Sequence, residues 1–124
     1  SSLHTSHKML PDRPELVQRA VAAFAEAVYF VEKNPDKAKA AIGKAMNMKD
    51  EEALQSSYNV YAKEIVDRTM LVPAKSVAEA VENARESGTT IRRKPEDIYD
   101  NSFVNNLEKS GFLKELWGAE NYRR

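Results

Sequence analysis

Cysteine is absent from the 124-residue chain, which removes disulfides, zinc–thiolate sites and thiol nucleophiles together. The absence fits a secreted protein that avoids unpaired thiols, and it is also common in the cytosol. No apolar run approaches the ~20 residues that a membrane-spanning helix needs. No signal peptide stands at the start. The chain opens Ser1-Ser2-Leu3 without methionine, so a native start further upstream is expected. An excess of one charge is missing too. Lysine plus arginine and aspartate plus glutamate number 19 each, so no net field draws the chain to nucleic acid or to an anionic membrane. Glycine is scarce, and none of Gly43, Gly88, Gly111 and Gly118 follows a strand with the spacing of a phosphate-cradling loop. Sustained two-residue alternation is lacking, so strands are few or absent.

What is present is helical periodicity. Apolar residues make up 42% and charged residues 31%, enough for one folded domain and too apolar for a disordered chain. Residues 1–11 show no helical period and predict an extended leading segment. Asp12 and Glu15 have capping-box spacing, and Pro14 suits a first helical turn. A long helix over Pro14 to Lys33 follows, with Val17, Val21, Phe24, Val28 and Val31 on one face. Leu16, Ala20, Ala23 and Ala27 widen that face, and a stripe this wide predicts burial on more than one side.

Asn34 is placed to cap a second helix with Pro35 at its first position, and Ala38, Ala41, Ile42 and Ala45 form a small-residue stripe. Asp50 caps a third, whose buried face is expected at Leu54, Tyr58, Tyr61 and Ile65. Thr69 to Val72 reads as extended, held by Pro73. A fourth helix carries Val77, Ala80, Val81 and Ala84 and stops at Gly88. Thr89 to Lys94 is a polar loop, and Pro95-Glu96-Asp97 a short helical turn. Asp100 or Asn101 caps a fifth helix through Phe103, Val104 and Leu107, stopped at Ser110-Gly111. Phe112, Leu113, Leu116 and Trp117 make a last short helix, and residues 119–124 a polar tail. The expected fold class is all-α, with five to six short-to-medium helices in one unit spanning residues 1–124.

Candidate chemistry is sparse. His4 and His7 have a spacing that ligates metal on a helix, yet no third ligand is near in sequence, so terminal solvated histidines are the better account. Glu51 and Glu52 are explained by the positive end of the helix they begin. Arg92, Arg93 and Lys94 could meet a phosphate, but one short cluster makes too few contacts for useful affinity. Tyr58, Tyr61, Tyr99, Phe103, Phe112 and Trp117 could stack on bases, although Tyr58, Tyr61 and Phe103 recur at core spacing. Residue chemistry alone therefore assigns no catalytic, ligand-binding or metal residue, no cofactor and no nucleic-acid partner.

The order of elements carries more. His4-Thr5-Ser6-His7-Lys8 leads through Arg13-Pro14-Glu15-Leu16-Val17 into the Ala-rich helix with Phe24-Ala25-Glu26-Ala27. That helix ends in Glu32-Lys33-Asn34-Pro35-Asp36-Lys37-Ala38. The close runs Lys94-Pro95-Glu96-Asp97, Asp100-Asn101-Ser102-Phe103-Val104 and Leu107-Glu108-Lys109-Ser110-Gly111-Phe112. Nearly the whole chain resembles the C-terminal portion of periplasmic solute-binding proteins of ABC importers, in the nitrate/sulfonate/taurine and thiamine-precursor group.

That resemblance implies the helical C-terminal part of a two-lobed type II periplasmic-binding-protein fold, whose N-terminal portion would supply the sheets. It implies a non-enzymatic role in an extracytoplasmic protein, membrane-anchored as a lipoprotein in some forms. The parent would capture a small molecule and deliver it to a permease. No ligand-contacting motif of the group matches positions here, and nothing matches the cysteine-rich segment of its pyrimidine-making fungal relatives. Besides nucleic-acid binding through Arg92 to Lys94, two further alternatives to this reading differ in class. One is a stand-alone helical interaction module, and the other a small enzyme acting through His4, His7 or the tyrosines. Self-association of the chain is expected wherever the wide apolar stripe of the long helix is left uncovered.

Overall fold

Pro14 opens the longest element, because a first-turn residue has no intrahelical use for its N–H. In the computed structural model, which describes residues 3–118 and Tyr122, this helix α2 spans Pro14–Lys33. It is preceded by a single turn, α1, at Met9–Asp12. The expected extended lead therefore gives way at Met9, whose N–H donates to the Ser6 carbonyl at 3.0 Å. Pro11 is accommodated inside that turn, where its missing N–H has no intrahelical role. Asp12 is consequently helical and does not cap α2. Arg13 takes the N-cap position with no side-chain bond, so the capping box does not form.

The remaining elements are α3 Pro35–Met46, α4 Glu51–Asn59, a π-helical segment Val60–Ile65, α5 Ala74–Glu86, a 3₁₀ turn Pro95–Asp97, α6 Ser102–Lys109 and α7 Phe112–Trp117. The fold is all-α, with no strand among the described residues. Seven α-helices stand among the described residues where five to six were expected, the addition being α1.

Local chemistry explains most boundaries. Asp50 Oδ1 accepts from the Ala53 N–H at 2.7 Å, as a helix N-cap should. Asn34 does not cap α3 with its side chain. Its Nδ2 donates to the Phe30 carbonyl at 3.0 Å and so closes the end of α2. Gly88, at φ 86°, ends α5 with a paired motif: its N–H donates to the Arg85 carbonyl and that of Thr89 to the Ala84 carbonyl. Gly43 lies where α3 meets the turn into α4, and a Cβ there would stand 3.0 Å from the Met48 carbonyl oxygen.

α2 is the axis of the structure. It packs on α1, α3, the π segment, α6 and α7. Two apolar clusters follow. One joins Ala25, Leu107 and Leu113, with Val21, Ala22, Met70, Phe112 and Leu116 around them. The other joins Ala38, Tyr58 and Ala62, with Val31 against it.

Several expected faces are corrected by this arrangement. On α3, Ala38 is buried while Ala41 and Ala45 are exposed, because only one side of the helix is covered. Tyr61 is 48% exposed. The π segment has wider turns and rotates each residue less, which carries Tyr61 off the Tyr58 face and brings Ala62 onto it. The side chain of Ile65, the expected structure at residues 1–2, and the tail at 119–121 and 123–124 lie outside the described positions. Extended backbone at Thr69–Val72 begins late, since Asp67 to Met70 form a turn with Met70 at φ 55°.

Candidate functional site

Glu32 ends the inner face of α2 one turn beyond Val28, and Arg68 follows the π segment. Arg68 Nε donates to Glu32 Oε2 at 2.9 Å and its terminal nitrogen donates to Oε1, giving a two-pronged pair with both side chains mostly buried. The hydrogen bond it donates to Glu32 is the main cause that holds the Arg68 guanidinium above its ordinary pKa, against the opposing effect of burial. The guanidinium also lies 4.3 Å from the centre of the Trp117 ring, within cation–π range. Trp117 in turn meets Tyr29 edge-on, with centroids 5.0 Å apart at 71°.

The arrangement ties three distant parts of the chain. The Tyr58 hydroxyl donates to the Val31 carbonyl at 3.0 Å, filling one of the acceptors that every helix end leaves open. Asp67 Oδ1 accepts from both the N–H and the hydroxyl of Thr69, at 2.8 Å each, fixing the turn that presents Arg68. Trp117 Nε1 is buried and has no hydrogen-bond partner among the described residues.

Chemically this cluster is a clamp. An arginine keeps its proton at any ordinary pH, and here the guanidinium donates to the Glu32 carboxylate and lies against the Trp117 indole. Beside it, a shallow cleft of about 410 Å³ lies between α2 and α7, lined by Glu26, Tyr29, Phe112, Glu115 and Leu116. That lining holds two carboxylates, one phenol and two apolar side chains.

The sequence-level candidates scatter. His4 and His7 are exposed near the chain start, and no metal-holding group of His, Asp and Glu occurs among the described residues. Glu51 and Glu52 are exposed in the first turn of α4, and Arg92, Arg93 and Lys94 on the loop before the 3₁₀ turn. Tyr58 and Trp117 are buried, Tyr99, Phe103 and Phe112 are half-buried, and Tyr61 is exposed, so the aromatics form no stacking platform.

Glu32, Arg68, Gln18 and Asn101 make long-range polar contacts that the sequence reading does not anticipate. Gln18 donates to the Phe103 carbonyl at 2.9 Å. Asn101 sits at the N-cap position of α6, but its amide bonds both the N–H and the carbonyl of Val72, at 2.9 and 3.0 Å. Asp100 supplies the neighbouring carboxylate contact to the Ser102 N–H at 2.8 Å.

The outer side of α2 completes the picture. Leu16 is 47% and Phe30 44% exposed, and Ala20, Ala23 and Ala27 between them are exposed as well. The expectation that the stripe is buried on more than one side is thus corrected. The other helices cover one side, and the chain has no described element left for the second. No family model matches the chain, and no curated protein or solved structure matches it.

Proposed function

We propose that this chain is the non-catalytic, helical C-terminal part of an extracytoplasmic solute-binding component of an ABC importer. The parent closes on a small molecule and hands it to a membrane permease. The observation that carries the reading is unfinished burial. The chain exposes 9073 Å² at 14.0 kDa, about 2,400 Å² more than the surface-to-mass scaling of compact monomers gives. Its long helix leaves a full apolar edge open, as a helix does when a sheet is meant to lie on it.

The same observation accounts for the lack of a built pocket. In a two-lobed receptor the ligand sits between α/β lobes, and the helices here would brace one lobe from outside. Ligand contacts then belong to the N-terminal portion, and the Glu32–Arg68–Trp117 clamp serves to keep the brace in one shape.

The gene decides between this and a stand-alone helical interaction module. A continuous upstream frame encoding alternating strands and helices behind a secretory or lipoprotein signal, with a permease and an ATPase adjacent, is the expected result. A start codon immediately before Ser1, with no importer genes nearby, would overturn the reading.

A further inference from the structure

The open stripe of α2 has a more specific pattern than general stickiness. Leu16, Ala20, Ala23, Ala27 and Phe30 follow at steps of four, three, four and three. That alternation is the 3.5-residue period of a coiled-coil seam, on the opposite side of the helix from buried Ala25 and Val28. Small alanines at the centre allow a second helix to approach to about 8 Å. Larger Leu16 and Phe30 close the two ends.

The charges beside the seam select what that second helix is. Arg19, Glu26 and Lys33 lie along one flank at steps of seven, with alternating sign, and Asp12 continues the series just ahead of α2. All four are exposed, and none forms an ion pair within its own chain among the described residues. The other flank, at Val17, Phe24 and Val31, is apolar. In an antiparallel pair, like heptad positions face each other across the seam. A second copy then brings its Glu26 to Arg19 and its Lys33 towards Asp12, and the reverse by symmetry. A shift by one heptad sets Glu26 against Glu26 and Arg19 against Lys33, so the neighbouring register sets like charges together, and a shift by two heptads matches Glu26 with Lys33 but shortens the overlap. A parallel pair sets the charged flank against the apolar one and gains no charge match.

We propose that α2 pairs with α2 of a second copy, antiparallel, about a two-fold axis that crosses the seam between Ala20 and Ala23. A self-complementary patch of this kind is what a two-fold dimer requires. The proposal stands on the seam and its charges and not on the functional reading. In a parent protein whose sheet covered the stripe, the pairing would belong to the chain on its own.

Sedimentation equilibrium from about 10 to 200 µM tests it, a range suited to a micromolar Kd. The expected result is a monomer–dimer equilibrium. Arg19→Glu alone and Glu26→Arg alone each raise Kd at least about tenfold by setting like charges together. The double exchange Arg19→Glu with Glu26→Arg restores dimerisation. Ala23→Glu abolishes it, with circular dichroism confirming that the monomer stays folded. A monomer throughout the range overturns the proposal. A dimer indifferent to both single reversals overturns the antiparallel seam and points to another face. Neither result touches the importer reading, which the upstream gene decides.

Discussion

Val21, Ala25, Val28 and Glu32 look inward along α2, while Leu16, Ala20, Ala23, Ala27 and Phe30 look outward. Both rows are mainly apolar, and composition alone does not distinguish them. What differs is the equipment around each. The inner row meets Leu107 and Leu113 at one end. At the other it meets hydrogen-bonded groups, with Tyr58 on the carbonyl of Val31 and Arg68 on Glu32. The outer row is exposed, and its flanking charges have no ion-pair partners in their own chain among the described residues. A helix face that is built into a structure carries its polar satisfaction with it, whereas a face awaiting a partner carries only a pattern.

The strongest way to break the inner face is at Leu113, which is 1% exposed against Ala25 and Leu107. Leu113→Ala is expected to cost about 2–5 kcal/mol through lost contact and a residual cavity, read as a lower urea midpoint. Next comes the clamp. Glu32→Ala removes the partner of a mostly buried guanidinium and is expected to cost about 2 kcal/mol. Because the Arg68 pKa is raised on folding, its own contribution is complete below the unfolded value and fades only in strong alkali as pH passes the folded one. The stability difference between wild type and Glu32→Ala should therefore show no loss due to Arg68 titration between neutral pH and pH 10. A difference that vanished over that range would mean Arg68 is not what Glu32 holds.

These two residues also mark where the sequence stops being readable. The limits of α2, the Asp50 cap, the Gly88 stop and the short α7 all follow from chemistry within a few residues, and each was legible. The Glu32–Arg68 pair joins positions 36 apart, and Asn101 reaches back 29 residues to Val72. Nothing local marks either residue, since Glu32 reads as an ordinary polar residue of an amphipathic helix and Asn101 as an ordinary cap. The π segment is hidden for a related reason: its residues have ordinary helical propensity, and the wider turn shows only in which tyrosine is buried. Wide apolar patterning was legible on α2, but a pattern does not say whether its cover lies in the same chain.

A smaller effect belongs to the helix that supports the inner face. Asp50→Ala deletes the carboxylate that receives the Ala53 N–H, and about 1 kcal/mol is the usual loss for such a cap. Asp50→Asn, which retains an accepting oxygen, should recover most of it in the same urea titration. A full loss in both variants would show that charge at the positive end of α4, and not the hydrogen bond, is the larger share.

The smallest effect is the most informative about the comparison. Ala23→Glu places a charge on the outer row, two residues before buried Ala25. The two positions differ by about 200° around the helix, so one carboxylate would enter the core and the other would enter water. At protein concentrations low enough to keep the chain monomeric, Ala23→Glu should change the urea midpoint by the equivalent of about 0.5 kcal/mol or less, the range of an ordinary surface exchange. Helix propensity alone accounts for a shift of that size when glutamate replaces alanine. A loss of several kcal/mol would mean that the outer row is covered within the monomer. The open edge would then be closed by the chain itself, and the contrast between the two faces of α2 would disappear.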